Sequence, residues 1–160
     1  VAPGRTYRYY TGTFLFPFAS GLTLADVGIA WGDSHSANTQ TIATDGSNKA
    51  TIVIDVTNKD DNGPSTSQVV TAFWSPHSGA CEAIPVKKQL FDFDRVEVAP
   101  GGKSVVTFHI SASAIQTVDT TSGDLVVFPG SYSLSFTDGG GVNLTVTLNV
   151  VGEKQILEKF

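Results

Sequence analysis

The histidines are the first side chains to consider for chemistry, because they can bind metal ions and transfer protons near neutral pH. His35, His77 and His109 lie far apart in the sequence and lack the spacing of metal ligands. His109 falls in an apolar, strand-like run, and the other two fall in polar stretches. A metal site would need further ligands from Cys81 or the aspartates. The sequence therefore predicts no metal and no cofactor.

The carboxylates Asp92 and Asp94 stand two positions apart in "QLFDFDRVEV", so in a strand both side chains leave the same face. Paired carboxylates can hydrolyse a glycosidic bond when they flank a sugar across ~5 to 9.5 Å in a cleft. Alternation with core phenylalanines, here Phe91 and Phe93, is more typical of the solvent face of a sandwich strand. The run "KDDN" (59–62) lacks the alternating ligands of a calcium loop and, with Gly63 following, predicts a hairpin turn.

The remaining candidate groups are nucleophilic side chains and modification sites. No serine lies in a G-x-S-x-G elbow. Cys81 is the single cysteine, which excludes an internal disulfide and predicts a small buried thiol or, in a secreted protein, a bridge to another chain. Asn143-Leu144-Thr145 is a sequon, so Asn143 is a candidate glycosylation site, although it falls inside a predicted strand rather than a loop. We predict no catalytic residue in this chain.

The elements that would position these residues are short strands separated by turn-forming residues. Period-two alternation and β-branched residues predict seven or more strands, including those at 50–57, 68–75, 89–98, 104–110, 124–128, 131–137 and 142–150. The segment 111–119 suggests one helical turn, and the polar segment 32–49 is predicted to be a long loop. With no long helix, this pattern predicts an all-β fold, an antiparallel two-sheet sandwich.

Composition limits the function classes. The 160 residues are 41% hydrophobic and 16% charged with a net charge of −5, which argues against nucleic acid and against an anionic membrane surface as partners. No apolar run approaches the ~20 residues of a membrane helix. The sequence contains no methionine, from which we expect a processed product or an excised piece of a larger protein.

The first 21 residues, which we call the leader, are unusually aromatic. Six of the sixteen aromatic residues lie in the first eighteen positions. Such a segment either folds back onto its own domain, in whole or in part, or lies against something outside this sequence. We predict that the leader contacts another domain through its aromatic residues, with two arginines as polar anchors: Arg5, Tyr7, Arg8, Tyr9, Tyr10, Phe14, Phe16 and Phe18.

The stretches "PGRTYRYY" (3–10) and "LFPFASGL" (15–22) resemble the segment that leads into the C-terminal domain of family three glycoside hydrolases, which include β-glucosidases and β-xylosidases. Their usual patterns are Pro-Gly-Arg-Thr-Tyr-Arg and Leu-aromatic-Pro-Phe-Gly-aromatic-Gly-Leu. The similarity continues in order through 53–74, 85–110 and 126–136. Ala19 and Ser20 depart from the pattern, where the family has glycine and an aromatic residue. Asp92 also replaces a usual glycine, and 32–49 looks like an insertion.

The resemblance implies a fibronectin type III-like, immunoglobulin-like sandwich over 22–152, with the leader before it and a tail at 153–160. It implies that the catalytic carboxylates lie in other domains, so the chain alone should hydrolyse nothing. The expected partners are the catalytic domains of the same glycosidase. The expected location is the cell exterior, the cell wall or a vacuole-like lumen, where Asn143 could be glycosylated.

A second hypothesis is a free-standing module that binds carbohydrate or protein. Aromatic faces stack on sugar rings, and Trp31, Trp74 and Tyr132 are the candidates for that role if they are exposed. The apolar surroundings of Trp74 favour a core position instead.

Overall fold

Alternating apolar and polar residues fold into strands throughout the computed structural model, which describes residues 4–33 and 38–160. A helical turn at Thr6–Tyr9 and two 3-10 turns at Ala80–Ala83 and Ala112–Ile115 accompany the strands. The strands are β1 (Val27–Trp31), β2 (Thr39–Ala43), β3 (Ala50–Asn58), β4 (Thr66–Ser78), β5 (Gln89–Val98), β6 (Lys103–Ile110), β7 (Thr117–Val118), β8 (Leu125–Val127), β9 (Gly130–Thr137), β10 (Asn143–Val151) and β11 (Gln155–Glu158).

Two sheets pack face to face, which confirms the predicted sandwich. One sheet has the order β1-β3-β6, and the other has the order β2-β10-β9-β4-β5. A small third sheet, β11-β8-β7, closes one side. All strand pairs are antiparallel except β2 and β10, which run parallel from Thr39 opposite Thr147 to Ala43 opposite Val151.

The core lies between the two large sheets and is built from the period-two stripes. On β3, Ile52, Ile54 and Val56 are fully buried, as the alternation predicted. They belong to one apolar cluster with Trp74 of β4 and Phe136 of β9. Burying each such side chain contributes about 1.5–3 kcal/mol, and this cluster is the main stabilising element of the fold.

The segment 32–49 was predicted to be a long loop, and this is wrong for Thr39–Ala43, which form β2. The strand could not be recognised from the sequence because its one fully buried apolar anchor, Ile42, follows the exposed Thr39 and Thr41. Pairing with β10 provides the remaining stabilisation of β2. His35, also in this segment, lies outside the described residues.

The tail 153–160 also gains structure that its sequence did not predict. Gln155–Glu158 form β11 beside β8, and Lys154 forms an ion pair with Asp119. The backbone N–H of Phe160 donates a hydrogen bond to the Asp124 carboxylate, 3.0 Å away. The expected helical turn within 111–119 is confirmed at Ala112–Ile115.

On β5 the prediction that both phenylalanines lie in the core is wrong. Phe91 is partly buried with its ring edge-on to Phe136, but Phe93 is 63% exposed. The register between β4 and β5 shifts by one residue at Ala72 and Phe73. Phe93 lies opposite Thr71, which alternates with the core residues Val70 and Ala72, so Phe93 projects from the outer face of the sheet.

Candidate functional site

The polar candidates do not converge on a site. Among residues 4–33 and 38–160, no three His, Cys, Asp or Glu side chains are grouped closely enough to hold a metal ion. Asp92 and Asp94 are exposed on β5, and each accepts a hydrogen bond from the backbone N–H of the next residue at 2.8 Å. His77 and His109 are exposed on separate sheets.

Cys81 is a buried thiol. It is fully enclosed and donates toward the backbone carbonyl oxygens of Ser78, at 3.1 Å, and Ser131, at 3.2 Å. Its burial leaves the sulfur inaccessible to a second chain in the folded domain. The described residues also include no helix with the length and hydropathy that a bilayer crossing requires.

The aromatic residues proposed to stack on sugars are largely inside the fold. Trp74 is 1% exposed and Tyr132 is fully buried, with their rings edge-on at 5.8 Å. Trp31 is partly buried, and its ring lies edge-on to Phe136 at 6.1 Å. Trp74 and Tyr132 therefore cannot offer a ring face to a carbohydrate, and the core position favoured for Trp74 is confirmed.

The leader, in contrast, lies on the outer face of the five-stranded sheet. Tyr7 and Phe18 stack with ring centroids 4.2 Å apart and planes 14° apart. Both rings meet the edge or face of Phe73 at about 6 Å. Phe73 projects from β4 away from the core, yet it is fully buried. Each such aromatic pair contributes about 0.5–1.5 kcal/mol beyond the area it buries, so Phe73 is the anchor of the leader.

Hydrogen bonds fix both ends of this contact. Near the start, the Arg8 carbonyl accepts from the Lys87 N–H at 2.7 Å, and the Tyr7 hydroxyl accepts from the Leu90 N–H at 3.1 Å. Near the end, the Gly21 N–H donates to the Gly139 carbonyl at 3.2 Å. The leader is thus attached at two separate points.

The second attachment depends on a close approach between two backbones. A Cβ atom on Gly139 would lie 2.2 Å from the Ala19 carbonyl oxygen, so only glycine permits this contact. Ala19 itself has φ of 71°, in the left-handed region that favours glycine. This explains physically why the family pattern carries glycine at the position of Ala19.

Lys88 completes the surroundings of Phe73. Its ammonium nitrogen lies 3.8 Å from the Phe73 ring centroid, a distance typical of a cation–π contact. Partial burial lowers the pKa of Lys88 below its ordinary value, because a charged ammonium is less well solvated beneath the leader than in water.

Several apolar residues between the two attachments are exposed. Phe14 is 43% exposed and Phe16 is 79% exposed, so the packing of the leader onto its own domain is only partial. Leu15 is 86% exposed, and Leu22 and Leu24 are fully exposed. The leucines were missed as contact candidates because the sequence argument counted only aromatic residues, although they lie in or next to the same stretch.

The remaining predicted contact residues lie around this exposed part. Tyr10 and Phe14 pack with ring centroids 4.8 Å apart. The Arg8 guanidinium lies 5.4 Å from the Tyr9 ring centroid, and its buried Nε has no hydrogen-bond partner among the described residues. Arg5 is exposed. Tyr7, Tyr10, Phe14 and Phe16 line a shallow apolar groove of about 450 Å³, which could receive side chains of another domain.

The candidate glycosylation site lies near the other side of the leader. Asn143 is the exposed first residue of β10, opposite Thr137 on β9. It lines a groove with Pro17, Phe18 and Lys88. The sequence could not show that Asn143 and the leader are neighbours, because 120 or more positions separate them.

Comparison with known proteins identifies the domain. A family model described as "Fibronectin type III-like domain" matches residues 68–138, from β4 to the end of β9. This part of the chain is similar to the fibronectin type III-like family. The sandwich topology described above agrees with this family.

The fibronectin type III-like domain also resembles segments of larger enzymes. It is 29% identical to a "Probable exo-1,4-beta-xylosidase" of Aspergillus oryzae over 168 residues, which cover 99% of this chain and 20% of that protein. It matches a solved GH3 exo-β-xylosidase, in complex with a xylobiose aziridine probe, at a TM-score of 0.76 and 21% identity. That match covers 98% of this chain and 21% of the other.

A β-glucosidase structure from Kluyveromyces marxianus matches at a TM-score of 0.75 and 24% identity, over 96% of this chain and 18% of that one. The chain therefore spans about a fifth of the length of the relatives it matches. The resemblance to family three glycoside hydrolases is confirmed, and the aligned region extends beyond the sandwich into the leader.

Proposed function

We propose that the chain is a non-catalytic accessory domain of a larger glycoside hydrolase, and that it packs against and stabilises the catalytic domains. The substrates proposed for the whole enzyme are β-xylosides or β-glucosides. The observation that carries this proposal is the alignment of 99% of the chain with a fifth of a β-xylosidase. A secreted, cell-wall or vacuole-like location is proposed with it, in keeping with the sequon at Asn143.

The exposed side of the leader supports the proposed contact. Leu15 and Phe16 are adjacent and mostly exposed. Removing each from water would contribute about 1.5–3 kcal/mol. A contiguous apolar surface of this kind commonly marks an interaction site, and the groove beside it offers room for side chains of the partner.

The attachment of the leader supports a role as a rigid contact surface. Because Tyr7 and Phe18 are both anchored on Phe73, the residues between them are presented on a fixed platform. The described residues bring no nucleophile, acid and base together, so the contribution to catalysis is support of the domains that carry those groups. The carbohydrate-binding alternative receives no comparable support, since Trp74 and Tyr132 are enclosed.

The contact is tested by comparing one double substitution in two settings. Leu15→Ser with Phe16→Ser should change the unfolding free energy of the 160-residue chain by less than about 0.5 kcal/mol, because both residues are exposed there. In the whole gene product the same change should lower stability by about 2 kcal/mol or more. The measurement is thermal inactivation of glycosidase activity beside urea unfolding of the isolated chain.

Phe160→Ser is the matched control, because Phe160 is fully exposed but lies beside Gly123, next to the small third sheet. This substitution should change neither the unfolding free energy of the isolated chain nor the thermal inactivation of the whole gene product. Equal effects of the double substitution in chain and whole enzyme would contradict the proposed contact. Hydrolysis of an aryl β-xyloside by the pure 160-residue chain would contradict the non-catalytic role.

A further inference from the structure

Asn143 has the surroundings of a modified side chain. It is exposed, it begins β10 directly after the turn that follows β9, and its carboxamide makes no hydrogen bond among the described residues. Thr145 lies two positions further on the same face of β10 and is also exposed. The folded domain can therefore carry a bulky group on Asn143 without losing any core contact.

We propose that Asn143 carries an N-linked glycan, and that its innermost sugar lies in the groove between the leader and the β9–β10 turn. The donor is a polyprenyl diphosphate-linked oligosaccharide. The Asn143 Nδ2 forms a bond to the anomeric carbon, and the bond from that carbon to the diphosphate oxygen breaks. The diphosphate leaves with the electron pair, and one amide proton is lost.

The groove is suited in size and chemistry to a first sugar. It has a volume of about 280 Å³ and is lined by Pro17, Phe18, Ser20, Lys88, Thr137 and Asn143. The Lys88 ammonium is a donor. The Ser20 hydroxyl donates to the Pro17 carbonyl and keeps its acceptor lone pairs free, whereas the Thr137 hydroxyl donates to the Val142 carbonyl and already accepts from the Gly139 N–H. Phe18, which is 46% exposed, offers apolar surface to the sugar.

A sugar in this position would hold the leader against the sheet. It would contact Pro17 and Phe18 on one side and the β9–β10 turn on the other, close to the hydrogen bond between Gly21 and Gly139. This inference is independent of the proposed glycosidase partner. It requires only that the chain enters a compartment where N-glycans are transferred.

The first test measures whether Asn143 carries a glycan. The chain is expressed with a secretion signal in yeast, and the microsomal and secreted fractions are treated with an endoglycosidase. Wild type, Thr145→Ser and Asn149→Gln should all lose mass, because each keeps the sequon. The mass of Asn143→Gln and of Thr145→Ala should not change on this treatment. Asn149 is the matched control, since it lies on the same face of β10 outside any sequon.

An unmodified Asn143 in the wild-type chain from microsomes would overturn the proposal, whether or not the chain is secreted. In the microsomal fraction, glycan transfer is detected even for chains that quality control would later retain because they are misfolded. A variant that fails to fold therefore still gives an interpretable result.

The second test measures whether the innermost sugar lies in the groove beside the leader. Hydrogen exchange of the Gly21 amide, which donates to Gly139, should be about fivefold slower with the glycan trimmed to one N-acetylglucosamine than in Asn143→Gln. The Thr44 amide, which donates to Val151, should exchange equally in both. Equal exchange at Gly21 would overturn the groove position.

Discussion

Replacing Gly139 by alanine should detach the end of the leader from the five-stranded sheet. The new Cβ would meet the Ala19 carbonyl oxygen at 2.2 Å and the Gly21 nitrogen at 3.2 Å. Both contacts involve backbone atoms that cannot rotate away. Relief therefore requires the whole segment around Ala19 to move off the β9–β10 turn.

The expected cost follows from what this movement breaks. The hydrogen bond from Gly21 to Gly139 is worth about 0.5–1.5 kcal/mol. About half of Phe18 is buried, on the order of 100 Å², which at ~25 cal/mol per Å² amounts to about 2.5 kcal/mol. Gly139 has φ of 76°, so alanine adds about 1–2 kcal/mol of strain in the turn itself.

Gly141→Ala is the control that separates turn strain from the clash. Gly141 lies in the same turn with φ of 112°, but a Cβ there meets nothing within 4 Å. The assay is the rate of chymotrypsin cleavage after Phe18, with urea unfolding measured alongside. Turn strain is common to both variants. Loss of the hydrogen bond and of the Phe18 contact, about 3–4 kcal/mol together, should raise the open population, and with it the cleavage rate, on the order of several hundredfold in Gly139→Ala relative to Gly141→Ala.

Equal cleavage rates in the two variants would refute this reasoning. That result would mean that the leader is held without the contact between Ala19 and Gly139. The stacked rings of Tyr7 and Phe18 on Phe73 would then be sufficient on their own.

Two further substitutions test local features. Ala19→Gly should raise the urea midpoint by the equivalent of about 0.5–1 kcal/mol at unchanged m-value, because it relieves the left-handed strain at φ of 71°; a lower midpoint would contradict this. Tyr132→Phe tests a pH effect: burial, with a smaller contribution from Cys81, raises the pKa of Tyr132 above its usual 10. Above pH 10 the unfolded chain releases this proton while the folded domain keeps it, so stability falls by up to about 1.4 kcal/mol per pH unit. The variant should lose this part of the alkaline slope; an unchanged slope would show that another group is responsible. At pH 7 it should lose about 1 kcal/mol with the hydrogen bond from Tyr132 to the Phe128 carbonyl.

The strands of the sandwich could be predicted where burial on one face imposes a period of two. The stripe Ile52, Ile54 and Val56 is an example, and all three side chains are fully buried. The strand β2 could not be predicted in this way. It carries a single buried anchor, Ile42, and its partner β10 lies about a hundred residues later in the sequence.

The candidate surface was predicted in part. The aromatic leader indicated a contact with another domain, but the sequence does not show which aromatic rings pack against one another. Tyr7 and Phe18 stack across ten intervening residues, and their anchor Phe73 lies on a strand far along the chain. The exposure of Leu15 depends on where that loop is held, so no local pattern could have identified it.

The two attachments of the leader have a consequence for association. A free chain end that becomes ordered on binding loses about 1–2 kcal/mol of conformational entropy per residue. Here the stacked rings of Tyr7 and Phe18 close the intervening residues into a loop when the domain itself folds. Part of this ordering therefore takes place before any partner arrives, and a preorganised loop can bind with a higher net affinity than a flexible tail of the same composition.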